Sequence, residues 1–218
     1  MSIERTILLT GFEPFGGETI NPSQEIVRAL DGEHIEGHRV IGAILPVVFA
    51  PTLALLESLL HAHHPALAVG LGQAGGRSGL AIERVAINLI DARIADNEGV
   101  QPLDEPIAAG ATGAYFSTLP VKAMAARLSA LGIPASVSLS AGSFVCNQAF
   151  FVLAHLIADR HAGTGGGFIH VPWLPEQAIR NADQPSMTLE TMVEGVRAAL
   201  ACAILTPHDV RTAGGEIH

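Results

Sequence analysis

The sequence predicts an α/β protein: a single three-layer α/β/α domain over residues 1–218, built on a largely parallel, mixed central sheet. Short apolar runs, suited to strands buried on both faces, alternate with stretches of helical period. No internal repeat, low-complexity tract or linker divides the chain. Its 218 residues, 49% of them hydrophobic, are enough to bury one substantial core. These observations favour the layered α/β class, and the low charged fraction excludes a disordered chain.

The predicted elements follow one another in order. Strand 5–11 leads through a Gly- and Pro-rich turn into helix 22–31, with Asn21 as a candidate cap and Pro22 in the first turn. Further strands are predicted over 39–48, 66–72, 81–90, 135–140 and 167–171, and further helices over 52–64, 121–131, 144–161 and 187–205. Segment 91–113 is polar and long for a connection, which is typical of a functional or disordered loop.

Charge and hydropathy exclude several classes of partner. The net charge is −9 and Lys122 is the single lysine, so we expect no nucleic-acid partner. The longest apolar stretch, 40–56, is interrupted by glycine and proline, and a bilayer span needs about 20 apolar residues, so we expect no membrane partner. The N-terminus lacks the pattern of a secretory signal. We therefore expect a cytoplasmic protein.

Cys146 is a candidate nucleophile. A strand ends near Ser140, and a helix follows with Ser143 as a candidate N-cap, which places Cys146 in the first turn. Backbone N–H groups and the helix dipole there favour a thiolate and could stabilise an oxyanion. The alternative is a thiol packed on the apolar stripe of the helix. Cys202 lies in an apolar run and is expected to belong to the core.

Among the ten histidines, His170 stands near the carboxyl end of a buried strand, where parallel sheets place reactive groups. It is a candidate general base, or alternatively a core histidine bonded to a carbonyl. The cluster His61, His63 and His64 ends a helix without accompanying ligands, so no metal site is expected.

Glu83 is a carboxylate on an otherwise apolar strand face. Burying an unpaired carboxylate costs several kcal/mol, so Glu83 must have a partner. An arginine partner would make it structural, whereas a histidine partner would make it the orienting member of a triad.

Several long motifs, in order along nearly the whole chain, resemble the type I pyroglutamyl peptidases (pyrrolidone carboxyl peptidases). They are LLTGFEPFGGETINPS (8–23), GQAGGRSGLAIERVAINLIDARIADNEG (72–99), SAGSFVCNQAFF (140–151), GGFIHVPWLPEQ (166–177) and GGEIH (214–218). Members of this family are cysteine peptidases of α/β/α fold that remove an N-terminal pyroglutamate from peptides, and they are commonly tetramers. The resemblance implies no cofactor.

The resemblance also implies roles for particular residues. The family's Cys–His–Glu triad falls on Cys146, His170 and Glu83. The residues implied at the substrate are Phe12 and Phe15 lining a lactam pocket, Gln73 bordering it, and Arg93 near the developing oxyanion.

Two other functions remain open from the sequence. A nucleoside phosphorylase-like transferase would need a phosphate site, for which Arg77 and Arg93 beside glycine loops are the candidates, although no loop carries a Walker lysine. A binding module without activity would keep the pocket alone, and the presence of all three triad residues argues against it.

Overall fold

The computed structural model describes residues 4–180 and 184–213, and in this part of the chain the fold is α/β. The strands are β1 (Thr6–Phe12), β2 (His34–Ile35), β3 (His38–Leu45), β4 (Leu67–Gln73), β5 (Leu80–Glu83), β6 (Val85–Ile87), β7 (Ala114–Phe116), β8 (Ala135–Ser138) and β9 (Gly165–Val171). The helices are α1 (Pro22–Leu30), α2 (Thr52–His63), α3 (Val121–Ala130), α4 (Val145–Arg160), α5 (Pro175–Ala178) and α6 (Leu189–Leu205).

The central sheet has seven strands in the order β2-β3-β1-β4-β9-β5-β8. The pairs β1–β3, β1–β4, β4–β9 and β5–β8 are parallel, whereas β2 runs antiparallel to β3 and β5 runs antiparallel to β9. The predicted fold class, a largely parallel but mixed sheet, is confirmed. The reversal between β5 and β9 matters most for the site, because these two strands carry Glu83 and His170.

Helices cover both faces of this sheet. Side chains of α1, α3 and α6 form one apolar cluster with alternate strand residues such as Ile7 and Leu9. Side chains of α2 and α4 form a second cluster with the residues between them, such as Leu8. Because successive strand residues face opposite sides of a sheet, the two clusters are the two core layers of an α/β/α sandwich.

The α1 prediction is confirmed in detail. Asn21 is the N-cap, with its side chain accepting a hydrogen bond from the N–H of Ser23, and Pro22 occupies the first turn. Pro fits there because the N–H that it lacks would have no helical partner.

The prediction of one strand over 81–90 is wrong. The chain leaves the central sheet after Glu83 and forms β6, which pairs with β7 in a separate two-stranded sheet. Arg84 links β5 to β6. Its N–H donates to the carbonyl of Ser138 and its carbonyl accepts from the N–H of Ser117, so its two backbone groups bond to different segments. Strand β2, strand β7 and helix α5, of two to four residues each, are too short to show a period in the sequence.

Two further observations complete the fold. Among the described residues, no helix is both long and apolar enough to cross a bilayer. The motif at 214–218 lies outside the described residues.

Candidate active site

His170 and Glu83 form a buried pair within the central sheet. The register of β5 against β9 sets Glu83 opposite Phe168 and Ala81 opposite His170, which makes Glu83 and His170 diagonal neighbours on one face. Nδ1 of His170 lies 2.8 Å from Oε1 of Glu83. Glu83 is fully buried and His170 is only 4% exposed. Because a carboxylate only accepts, Nδ1 carries the proton and Nε2 is left as the basic nitrogen.

The antiparallel direction of β5 explains the depth of Glu83. Glu83 is the last residue of β5, as expected of a reactive residue. Because β5 runs antiparallel to β9, however, the C-terminal end of β5 lies away from the edge that holds the C-terminal ends of β4 and β9. The carboxylate therefore lies beneath His170, inside the sheet, and not at the rim.

Arg77 is a second partner of Glu83. Its Nη2 lies 3.4 Å from Oε1 of Glu83 and donates to the carbonyl of Ser140. Oε2 of Glu83 has no hydrogen-bond partner among the described residues. The guanidinium therefore supplies part of the compensation that a buried carboxylate requires. The two partners weighed from the sequence, an arginine and a histidine, are both present.

Cys146 is the second residue of α4, so its position in the first turn is confirmed. The prediction of Ser143 as the cap is wrong: Phe144 is the N-cap residue, and the hydroxyl of Ser143 donates instead to the carbonyl of Asp91. No side chain caps the helix, so the backbone N–H groups of its first turn keep their capacity to bind an anion.

The sulfur of Cys146 lies over strand β4. A Cβ added to Gly72 would stand 2.7 Å from Sγ, so only a glycine leaves room for the thiol here. Gly72 is in register with His170 on the neighbouring strand β9. The sheet thus brings the sulfur to the strand beside the one that carries the imidazole.

The first turn of α4 is also tied to the segment after Glu83. Oδ1 of Asn147 accepts from the N–H of Ile87, and Nδ2 donates to the carbonyls of Ile87 and Leu89. Asn147 is fully buried. This amide fixes the position of the helix end that presents Cys146.

The surroundings of the Cys146 sulfur disfavour its thiolate. Loss of water around the sulfur, and secondarily the charge of Glu83, raise the pKa of Cys146 to about 12, while its own backbone N–H opposes them. The helix N-terminus therefore acts in the predicted direction, while burial and the charge of Glu83 act against it. Forming the thiolate requires a proton acceptor, which His170 Nε2 can supply.

A narrow, partly enclosed cavity of about 10 Å³ adjoins Cys146, so a ring can enter it only as its walls move apart. Phe12, Phe15 and Gln73, which the sequence analysis placed at a lactam pocket, all line it. The other lining residues are Asn21, Val47, Phe144 and Val145. The rings of Phe15 and Phe144 are 6.3 Å apart between centroids. Sequence reasoning missed Phe144, although its place two residues before Cys146 was a usable signal.

Arg93 does not line this cavity and is exposed to solvent. It belongs to a segment that approaches the helix end, because the N–H of Asp91 donates to Ser143 and the hydroxyl of Ser143 donates back to Asp91.

The long segment 91–113 is held to the cavity wall through Asp96. The carboxylate of Asp96 accepts from the N–H groups of Phe49, Glu98 and Val100, and the next residue donates its N–H to Val47. Burial raises the pKa of Asp96, but the backbone N–H groups that face it lower it by more, so the net pKa lies below 3.8. The ionised carboxylate is the form that fastens the segment.

The second cysteine and one further histidine have ordinary surroundings. Cys202 is half-buried on α6, with Sγ 3.7 Å from the hydroxyl of Thr206. His155 shares a hydrogen bond with the hydroxyl of Tyr115. Within residues 4–180 and 184–213, no group of three or more His, Cys, Asp or Glu side chains is arranged to hold a metal ion.

A half-buried cysteine at a helix N-terminus, beside a buried histidine–glutamate pair in an α/β/α sandwich, is the arrangement of a cysteine-type hydrolase. The comparisons with known proteins name the group: the chain belongs to the pyroglutamyl peptidase family, whose model matches residues 5–206. Cysteine peptidases make up this family.

Individual relatives match over nearly full length. A pyrrolidone-carboxylate peptidase of Cupriavidus taiwanensis is 54% identical and covers 98% of this chain and 99% of its own. The crystal structure of pyroglutamyl peptidase I from Bacillus amyloliquefaciens has a TM-score of 0.94 at 42% identity, with 97% and 100% of the two chains covered. A mutant pyrrolidone carboxyl peptidase from Pyrococcus furiosus has a TM-score of 0.89 at 46% identity, with 92% and 98% covered.

Proposed function

We propose that this protein removes an N-terminal pyroglutamyl residue from peptides, with Cys146 as nucleophile, His170 as general base and acid, and Glu83 as the residue that orients His170. One observation carries the proposal. His170 and Glu83 form a buried hydrogen bond of 2.8 Å, and the sulfur of Cys146 lies over β4, the strand next to the one that carries His170. Family membership supports the same assignment. In this proposal, residues 1–218 act as one catalytic domain.

The chemistry proceeds in two halves. As Sγ of Cys146 attacks the pyroglutamyl carbonyl carbon, Nε2 of His170 takes the thiol proton, and Glu83 stabilises the imidazolium through Nδ1. The imidazolium then gives that proton to the departing amine, which leaves a thioester. A water molecule, deprotonated by Nε2, hydrolyses the thioester and restores the thiol.

The N-terminus of α4 supplies the oxyanion site. The carbonyl oxygen becomes negative in the tetrahedral intermediate, and the uncapped N–H groups beside Cys146 are oriented to receive it. Arg93, on the segment bonded to Ser143, is proposed to approach the same oxygen when substrate is bound. Loss of one such donor commonly costs about a hundred- to a thousandfold in rate.

The cavity explains a preference for a lactam. Pyroglutamate has no charged α-amine, and the walls of the cavity are mostly aromatic and aliphatic. An N-terminal glutamine would bring an ammonium group into these walls without a counter-charge, which costs desolvation energy. The pocket therefore favours the cyclised residue.

The phosphorylase-like alternative loses its phosphate site. Arg77 is paired with the buried Glu83, so its charge is already compensated. Arg93 is exposed and stands apart from the cavity.

The test is a fluorogenic assay with pyroglutamyl-aminocoumarin, with and without iodoacetamide. We expect hydrolysis that one equivalent of alkylation at Cys146 abolishes, and essentially no turnover by Cys146→Ser with an unchanged melting temperature. Cys202→Ser is the matched control and should keep full activity. Activity retained by Cys146→Ser, or equal rates on glutaminyl-aminocoumarin, would contradict the proposal.

Assembly and location follow the resemblance: we propose a homotetramer in the cytoplasm. Sedimentation equilibrium of the purified protein at micromolar concentration tests the assembly, and a monomer at that concentration would contradict it.

A further inference from the structure

Two side-chain amides line the cavity, and they differ in how far their donor nitrogens are engaged. Among the described lining residues, Asn21 has both ends of its amide engaged: Nδ2 donates to Glu13, and Oδ1 accepts from the N–H and hydroxyl of Ser23. Gln73, in contrast, uses only Oε1, which accepts from Nε2 of Gln177 at 2.9 Å. Within the described chain, Nε2 of Gln73 donates no hydrogen bond.

The orientation of the Gln177 amide is fixed by backbone groups that have no choice of role. The N–H of Leu174 can only donate, and it donates to Oε1 of Gln177 at 3.1 Å. The carbonyl of Ile20 can only accept, and it lies 3.3 Å from Nε2 of Gln177. The carboxylate of Glu18, also an acceptor, faces the same nitrogen at 3.4 Å. Gln177 is fully buried, so its amide cannot turn to water instead.

The orientation of Gln73 follows from that of Gln177. Because Gln177 presents a donor, Gln73 must present Oε1 to it, since two facing N–H groups would repel and leave both unpaired. Gln73 lines the cavity, and its Nε2 is then the amide atom available to a ligand there. The pocket thereby offers a hydrogen-bond donor, which suits a carbonyl oxygen.

We infer that Gln177 is a positioning residue for substrate specificity: through its hydrogen bond to Gln73 it holds a donor toward the lactam carbonyl of the bound pyroglutamyl ring. This inference rests on the proposed function for the identity of the ring. Gln177 itself does not touch the substrate. It lies on α5, and its partners join α5, the end of β4 and the 18–20 loop behind the cavity.

The test measures binding separately from turnover. The affinities of wild-type protein for 2-pyrrolidone and 2-pyrrolidinethione are measured by NMR titration. These rings differ in the acceptor, because a thiocarbonyl sulfur accepts hydrogen bonds more weakly than a carbonyl oxygen. We expect the wild type to prefer the oxo compound. In Gln177→Met, which fills the same space without a donor, the preference should fall about five- to tenfold, the net worth of one neutral hydrogen bond.

Kinetics provide the second readout. With pyroglutamyl-aminocoumarin, Gln177→Met should raise KM about five- to tenfold and leave kcat within about twofold, the pattern of an interaction present equally in the bound and transition states. Arg180→Met is the matched control, since it breaks the Arg180–Glu18 ion pair in the same corner without touching Gln73. It should keep both the preference and KM.

A second variant guards against misfolding. Gln177→Leu removes the same donor with a different side chain that also suits a buried position. Its preference for the oxo ring should fall to the same extent as that of Gln177→Met, and the melting temperatures of both variants show that they are folded. The inference alone is overturned if both variants keep the preference, or if Arg180→Met loses it equally. The proposed function alone is overturned if the wild type binds 2-pyrrolidone but does not hydrolyse pyroglutamyl-aminocoumarin. A wild type that binds neither ring overturns both.

Discussion

The two walls around Cys146 are built by different means. On one side, Glu83 and His170 belong to paired strands of the central sheet, so their separation is set by backbone register. On the other, the cavity is lined from the turn after β1, the segment before α2 and the start of α4, which are held together by side-chain hydrogen bonds to backbone groups. The base and its orienting carboxylate thus sit on paired strands, whereas half of the residues that line the cavity lie outside helices and strands.

This contrast implies different responses to mutation. Changes on the strand wall should alter kcat, because they disturb groups whose geometry matters in the transition state. Changes on the loop wall should alter KM and stability, because they disturb how the pocket is held.

The largest effect is expected from Glu83→Gln. The amide oxygen can still accept from His170, but the charge that stabilises the imidazolium is lost, so kcat should fall about a hundredfold or more. The charge of Glu83 also raises the pKa of Cys146, so its removal should lower that pKa. We therefore expect alkylation by iodoacetamide to continue and to shift toward lower pH, although turnover falls.

Glu33→Gln is the control for this change, since Glu33 is paired with Arg197 far from the cavity. It should leave kcat unaltered. Normal turnover by Glu83→Gln would reduce Glu83 to a structural partner of Arg77.

A smaller effect is expected from Gly72→Ala. The added methyl group would contact the sulfur of Cys146 at 2.7 Å and the ring of Phe168 at 2.9 Å, so the thiol must move away from its place over β4. Displacement of a reacting atom by about 1 Å costs on the order of a hundredfold in rate, and kcat should fall by up to that amount with KM little changed.

Gly70→Ala separates the two contacts. Its methyl group would press on Phe168 but not on Cys146. If both variants lose kcat equally, the cause is the displaced ring and not the displaced sulfur.

The smallest effect is expected on the loop wall, from Asp96→Asn. One carboxylate oxygen becomes an NH₂ group facing backbone N–H donors, so the 91–113 segment loosens. We expect KM to rise a few-fold and Tm to fall on the order of 4 °C at pH 7. Folding lowers the pKa of Asp96, so its ionised carboxylate stabilises the folded protein fully above pH 3.8. This stabilisation is lost as the pH falls through the pKa of Asp96 in the folded protein.

Thermal scans across pH 2–7 test this assignment. The Tm difference between wild type and Asp96→Asn should shrink as the pH falls below 3.8. Asp104→Asn, which removes an exposed carboxylate from the same segment, is the control for the loss of one charge. A difference that persists undiminished at pH 2 would contradict the role of the ionised carboxylate.

Local patterns predicted much of this molecule. Asn21 and Pro22 mark the start of α1, and the Gly-containing turn before Cys146 marks the start of α4, because caps and turns depend on adjacent residues. The fold class followed from the alternation of elements. The three triad candidates were identified by position and by resemblance.

Non-local pairing accounts for what the sequence did not reveal. The reversal of β5 against β9, which places Glu83 beneath His170 and near Arg77, depends on strands 87 residues apart in sequence. The contact between Gln177 and Gln73 spans 104 residues. The raised pKa of Cys146 could not be predicted, because helix position is local, whereas the loss of water around the sulfur depends on everything packed over it.

The raised pKa of Cys146 also bears on durability. Peroxides attack thiolates far faster than thiols, so a peptidase with a permanently ionised cysteine is exposed to sulfenic acid formation between turnovers. Burial and the charge of Glu83 raise the pKa of Cys146 and so lower its thiolate fraction while no peptide is bound. Oxidation of the empty site should therefore be slower than oxidation of a cysteine whose surroundings stabilise the thiolate, and less enzyme is lost to sulfenic acid between turnovers.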